Sequence, residues 1–407
     1  MLTKKNIFRI TCILILGYLF LPIVFKNLFW PFMSSWFYIY GWIALLLFFY
    51  PRILISRPAL YIYFFYSLYL LLILFDVYYI EIEEIHGLLK YVFISTTMLQ
   101  YFYISKDYHG LNKVIRIALI FFVITTITSI IGMQKFPMAA RDLAGALQRD
   151  SQTQIVILYE KLGIASYDFF YGIAFSLPIF VSLLKVKYSG KYIKIIIIFL
   201  IVLSFYGILK SQYTTPLVFA MLLSFFAYWT PQNIPKAISL YVLVALIFII
   251  SYNYITEIMF SLSHSINAEV LSSRLYDIAD FMRYGLGGES KDVDVRLNRI
   301  PLQIENFLNS PIIGGSETTG HVFWIDTLAR FGFLGLLPWI LLLSDQIKRN
   351  LQNIYYSDRI YYILSILMVI SVGFIRNLFG AGMTMFVFFV IPSLALVREE
   401  LFKTSKE

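Results

Sequence analysis

Twelve runs of mostly apolar residues dominate this chain and leave it only one solvent. They lie near 7–25, 35–50, 58–75, 87–104, 114–132, 166–184, 192–209, 212–229, 237–255, 321–343, 360–375 and 379–397. A helix needs roughly 20 mainly apolar residues to cross about 30 Å of hydrocarbon. Backbone polar groups in lipid must pair within their own segment, so such runs are helices rather than strands. The composition agrees: 59% of the 407 residues are hydrophobic and only 14% are charged, whereas a soluble domain carries about 25% charge. The expected fold is all-α: one polytopic transmembrane domain over 1–407 with about 12 membrane helices and two long loops, 133–165 and 256–320.

Charge predicts an orientation. Short connections on one side hold Lys4, Lys5, Arg9, Arg52, Arg57, Lys106, Lys113, Arg116, Lys185, Lys187, Lys191, Lys194, Lys236, Lys348, Arg349 and Arg359, while one connection on the other side is acidic (Asp76, Glu81, Glu83, Glu84). By the positive-inside rule both termini are cytoplasmic and both long loops face outward. Trp30, Trp36 and Trp324 then fall near the outer interface. The net charge of +9 is spread through short loops rather than gathered on one face, which argues against a nucleic-acid partner. The lone Cys12 lies within the first apolar run, and that run, preceded by Lys4 and Lys5, reads as a retained helix rather than a cleaved signal. No repeat relates the two halves as it does in many transporters, and no Walker-type phosphate loop is present. Energy for any chemistry therefore arrives with the substrate.

The larger loop reads as helical pieces. Apolar residues recur at helical spacing from Ile255 to Met282, a GLGG break follows at 285–288, and a second amphipathic stretch from Val295 ends at Asn309-Ser310-Pro311. Arg296 and Arg299 lie one helical turn apart, a spacing suited to gripping a diphosphate through guanidinium forks. The same pair also fits a solvated helix face or partners for Asp292, Asp294 and Glu305. Arg274 and Arg283 are further candidates in this loop, and Arg141 and Arg149 in the smaller one. Asp326 and Arg330 sit four apart on the tenth run, beside His321. Ionisable groups at such depth normally face a protein interior or a wet cavity, as a structural ion pair or as part of a site. Lys210, Asp168 and Arg376 fall near the same outer face. Asp292-Val293-Asp294 matches a metal-binding pattern only literally, with no cluster of further ligands; no metal or other cofactor is expected.

Together, NSPIIGGS at 309–316 and the GHxxxxDxLARxGxxG pattern at 320–335 resemble the bacterial O-antigen and capsular polysaccharide polymerases (Wzy-type), which belong to a wider group with the O-antigen ligases. The close match covers 294–335. AARDLAG at 139–145, GIASYDFFYG at 163–172 and LKSQYTT at 209–215 add weaker support. The resemblance implies a glycosyltransferase that joins undecaprenyl-diphosphate-linked oligosaccharide repeat units at the outer face of the cytoplasmic membrane, making O-antigen, capsule or exopolysaccharide. It implies a lipid-linked donor and acceptor as substrates, with a flippase and a chain-length regulator as functional partners. By motif position, diphosphate contacts fall on Arg296, Arg299 and Arg141, with Lys210, Arg330 and Arg274 as further candidates; Lys210 stands near where relatives have arginine. His321 stands where the ligases have a functional histidine, although Val322 replaces the asparagine that usually follows it there.

In such a reaction negative charge builds on the departing diphosphate, where fixed guanidinium groups stabilise it selectively. The acceptor hydroxyl must lose a proton, and His321 and Asp326 are the expected bases. An O-antigen-type ligase and a polysaccharide or lipid transporter are the competing readings. The discriminating product is a polymer of repeat units.

Overall fold

The computed structural model describes residues 3–25, 27, 35–75, 82–146, 153–186, 191–231, 234–266, 269–284, 299–315, 322–378 and 380–401. No strand occurs among them. The helices are α1 (Lys4–Phe20), α2 (Pro22–Val24), α3 (Ser35–Phe49), α4 (Pro51–Leu54), α5 (Arg57–Leu74), α6 (Ile82–Ser105) and α7 (Tyr108–Lys135). Two short helices, α8 (Ala139–Ala146) and α9 (Thr153–Lys161), precede α10 (Tyr167–Leu183), α11 (Lys191–Lys210), α12 (Thr214–Trp229) and α13 (Ile234–Ile250). Then come α14 (Tyr252–Ser265), α15 (Glu269–Tyr284), α16 (Arg299–Asn309), α17 (Phe323–Asn353), α18 (Arg359–Gly373) and α19 (Ala381–Val397).

Each apolar run thus falls on a helix. Among the described residues, α5, α7, α11 and α17 are long and apolar enough to cross a membrane by themselves. Ser239–Ile250 with Tyr252–Ser265 makes a fifth candidate if the pair, bent by 71°, is one span. Four more apolar helices are shorter: Phe37–Phe49, Tyr167–Leu183, Thr214–Trp229 and Ala381–Val397.

Packing divides these helices sharply. Every residue of α10 from Phe169 to Leu183 is buried, as is nearly all of α19. A helix that is apolar all round belongs in such a core. By contrast α11 presents Ile195, Ile198, Phe199 and Val202 outward, and α13 ends on an Ile250 that is 85% exposed. Exposed apolar surface on that scale suits a lipid neighbour. Within α19 the turn Phe386–Val390 is a π-helix, and the Ile391 N–H reaches back to the Phe386 carbonyl. In that register the Val387 carbonyl would look to Pro392, which has no N–H. Gln346 Nε2 of α17 donates to it instead, at 2.8 Å.

Polar contacts sort the helix ends into two sets. At one end Arg9 donates to both carboxylate oxygens of Asp107, at 2.8 and 2.6 Å. There too a buried Arg398 pairs with Asp358 at 2.6 Å and reaches the Ser182 hydroxyl and carbonyl. Lys185 Nζ donates to the Thr230 carbonyl at 2.9 Å. This is the end that carries the basic connections. At the other end the smaller loop folds back on α7: Thr128 Oγ1 donates to the Gly163 carbonyl at 2.7 Å, and the Ala165 N–H to Ser129 Oγ at 2.8 Å. The stretch expected to run from Ile255 to Met282 divides, because extended backbone at Ile266 (φ −91°, ψ 121°) stops α14. The resulting α14–α15 hairpin is held by Phe260 against Tyr276 and by the Tyr252 hydroxyl donating to the Met282 carbonyl at 2.7 Å. Trp324, expected at the interface, donates from Nε1 to the Ile370 carbonyl at 2.9 Å, so its ring joins α17 to α18.

The NSPIIGG segment turns out to be a structural lock. Gly332 interrupts α17 at φ 59°, ψ −166°, a conformation essentially reserved for glycine. The break frees backbone groups that the 310–315 turn then satisfies. Phe333 N–H donates to the Pro311 carbonyl at 2.9 Å, Leu334 N–H to the Ile312 carbonyl at 3.1 Å, and Gly315 N–H to the Ala329 carbonyl at 2.8 Å. The Tyr69 hydroxyl of α5 donates to the Phe331 carbonyl. Lipid offers those groups no partner, so turn and break require each other.

Candidate functional site

At the end away from the basic connections lies a cavity of about 420 Å³. Its floor is the break between α11 and α12. Gln212 adopts φ 57°, which turns the chain tightly enough to restart a helix at Thr214, with Pro216 in its first turn. Tyr213 is buried in this break, and its hydroxyl donates to the Ala140 carbonyl of α8. That bond holds the helix bearing Arg141 over the cavity. Tyr171 of α10 lines the wall, stacked among Tyr167 and Tyr213 with ring centroids at 4.2 and 6.1 Å.

Three guanidinium groups line this space: Arg141 from α8, Arg274 from α15 and Arg376 from the segment after α18. Arg376 is fixed through its backbone, donating to the Val372 carbonyl at 2.7 Å and accepting from the Phe323 N–H at 3.2 Å, which ties α17 to α18. One carboxylate, Asp277, shares the lining and pairs with Arg274 at 3.2 Å. Among the described residues the lining thus holds three guanidinium groups and one carboxylate. Its remaining walls include Val218, Phe219, Ile278, Ile300 and Phe374.

The residues nominated from sequence divide accordingly. Arg141 and Arg274 meet in the cavity although 133 positions separate them. Arg299 opens α16, whose next residue Ile300 lines the cavity; its side chain lies outside the described residues. Arg296 and His321 also lie outside them, as do Arg149, Asp292 and Asp294, while Val322, directly after His321, lines the wall. Asp326 is buried in the first turn of α17, where its Oδ2 accepts the Val322 N–H at 2.7 Å. That bond satisfies a helix-terminal donor. Arg330 lies a turn deeper, its guanidinium 5.3 Å from the Phe331 ring, and Lys210 is exposed with its ammonium 5.7 Å from the Tyr206 ring. Neither lines the cavity, and nor does Asp326. Asp168 accepts the Gly382 N–H at 3.2 Å and so anchors the start of α19.

No protein-family model matches this chain, and no curated protein is similar to it by sequence.

The cavity contributors that residue-by-residue reading passed over are Gln212, Tyr213, Tyr171 and Asp277. The first three sit inside LKSQYTT and GIASYDFFYG, so the short motifs converge on one space even where the charged residue singled out from them does not. Chemically, the arrangement suits an amphiphilic anion. Guanidinium forks take phosphate oxygens in bidentate pairs, and apolar walls accept the chain or ring attached. The volume is in the range of small-ligand sites, enough for a head group and not for a long polymer.

Proposed function

We propose that this chain is a membrane glycosyltransferase that polymerises undecaprenyl-diphosphate-linked oligosaccharide units at the outer face of the cytoplasmic membrane. In this reading all twelve apolar runs cross the bilayer, both termini are cytoplasmic and the cavity opens outward. The observation that supports it best is the meeting of Arg141, Arg274 and Arg376 over apolar walls, at the end opposite the basic connections. A nucleotide-independent reaction needs an activated donor, and a sugar diphosphate supplies one.

The donor's diphosphate would lie among the three guanidinium groups. An acceptor hydroxyl attacks the anomeric carbon, the bond from that carbon to the diphosphate oxygen breaks, and the polyprenyl diphosphate departs as an anion. Charge growing on that leaving group is stabilised by cations already in place, each worth about 2.7–4 kcal/mol by analogy with single oxyanion donors. The hydroxyl proton passes to a base. Of the two expected, Asp326 stands outside the cavity lining, and His321 lies outside the described residues.

The test is reconstitution of the purified chain with a polyprenyl-diphosphate-linked repeat unit, its products resolved by size. A ladder of multiples supports polymerisation. Transfer of a preformed chain to a different acceptor lipid would point to a ligase, and movement across vesicles without new glycosidic bonds to a transporter; either outcome rejects the proposal.

A further inference from the structure

At the opposite end of the molecule an open groove of about 470 Å³ runs between the end of α17 and the start of α18. Lys348 and Arg359 line it, together with Ser344, Ile347, Leu351 and Gln352. The carboxylates nearby are already engaged: Asp345 pairs with Arg349 at 2.7 Å, and Asp358 pairs with the buried Arg398 at 2.6 Å. Arg349 points away from the groove, donating to Gln100 at 2.8 Å. Among the described residues the groove therefore presents two positive charges that no carboxylate pairs with. The Nε of Arg359 is buried with no hydrogen-bond partner among the described residues, and its guanidinium rests 5.5 Å from the Tyr356 ring. A buried charged donor of this kind calls for an acceptor.

The surroundings indicate which acceptor. Away from Lys348 and towards the middle of the molecule, α17 presents Leu341, Ile340 and Leu337 outward, at 37%, 47% and 46% exposure. Along the same direction from Arg359, α18 presents Leu367, at 49% exposure. Both walls of the groove thus pass from cationic to apolar over a few helical turns. Tyr355 and Tyr356, exposed beside the cations, are the amphipathic rings that gather at head-group level. We infer that this groove is a binding site for an anionic phospholipid, with its phosphate between Lys348 and Arg359 and its acyl chains along Leu341, Ile340 and Leu367. A zwitterionic lipid would bring an ammonium group against the two cations and bind less well. The site is separate from the cavity at the other end and does not depend on the activity proposed for it.

Native mass spectrometry of the full chain in detergent, titrated with phosphatidylglycerol or phosphatidylcholine, reads the preference directly. Each basic residue near an anionic membrane surface contributes about fivefold, so Lys348→Gln is expected to weaken phosphatidylglycerol binding about fivefold and Lys348→Gln with Arg359→Gln about 25-fold, with phosphatidylcholine unchanged. Lys236→Gln, an exposed cation at the start of α13, serves as the control for general surface charge. Equal losses from the control and from Lys348→Gln would overturn the site, as would wild-type binding in the single variant, which tests the groove even if the double variant fails to fold. Leu341→Asn is expected to weaken phosphatidylglycerol binding as well. Full displacement of the lipid by millimolar inorganic phosphate would overturn the lipid assignment in favour of a free-anion site.

Discussion

Gly332→Ala probes the logic of the fold most directly, because its effect is read from three features of one turn. The backbone there, at φ 59° and ψ −166°, is costly for any residue with a Cβ, by about 1–3 kcal/mol. A Cβ would also stand 2.4 Å from the Ile312 carbonyl oxygen, 2.5 Å from its carbon and 2.7 Å from the Gly314 nitrogen. These are backbone atoms with no rotamer to give way, and overpacking of that kind costs about 1–3 kcal/mol. Relief requires the 310–315 turn to withdraw, which breaks the bonds from Phe333 and Leu334 to Pro311 and Ile312, each worth about 0.5–1.5 kcal/mol. The terms overlap, so the expected destabilisation is about 3–6 kcal/mol, against a total stability of about 5–15 kcal/mol for a typical domain. Gly315→Ala is the matched control: an added Cβ there meets nothing within 4 Å among the described residues. It is expected to fall within about 0.5 kcal/mol of wild type. Thermal unfolding of both variants in detergent measures the difference. Equal melting temperatures for the two would refute the lock between turn and helix break.

Further outcomes follow from the cavity and the buried ion pairs. Arg141→Lys and Arg376→Lys keep the charge and lose the fork, so polymer yield is expected to fall about 10²–10³-fold in each; wild-type product lengths would remove the diphosphate role. Asp326→Asn retains an oxygen to accept the Val322 N–H, so folding is expected to survive, and retained polymer in that variant excludes Asp326 as the base. Tyr213→Phe removes the hydroxyl that donates to the Ala140 carbonyl, which keeps its place in the α8 ladder, so a cost of about 0.5–1.5 kcal/mol is expected, seen as a lower melting temperature. Asp358→Ala strands a buried Arg398, for which about 3–5 kcal/mol of destabilisation is expected in the same assay.

Much of the architecture was legible because hydropathy reports length and little else is needed to place a helix in lipid. The twelve windows lie on helices, of which four, or five with the bent pair, are long and apolar enough among the described residues to cross a membrane, and Arg9 and Lys185 of the basic connections are tied down at one end. The site was legible only in fragments. Arg141 and Arg274 were recognisable as cations in polar loops, whereas Lys210 does not line the cavity and its motif neighbours Gln212 and Tyr213 do. A turn at positive φ reverses the chain between them, and no periodicity announces it. The SPIIGG run was legible as a turn, but its part as a set of backbone partners for a broken helix was not.

What the sequence determined by itself is the all-helical secondary structure, with several helices apolar enough to cross a membrane. It could not say which helices form the core. The runs that became α10 and α11 are both apolar around their full circumference, yet α10 is buried throughout and α11 lies at the rim. In water the two faces of a helix meet different solvents and the sequence records the difference. In a bilayer a neighbouring helix and a lipid tail are equally apolar, so packing alone decides which side turns inward. The gathering of Arg141, Arg274 and Arg376 into one cavity is decided at the same level, since helix ends far apart in the chain meet only when the bundle closes.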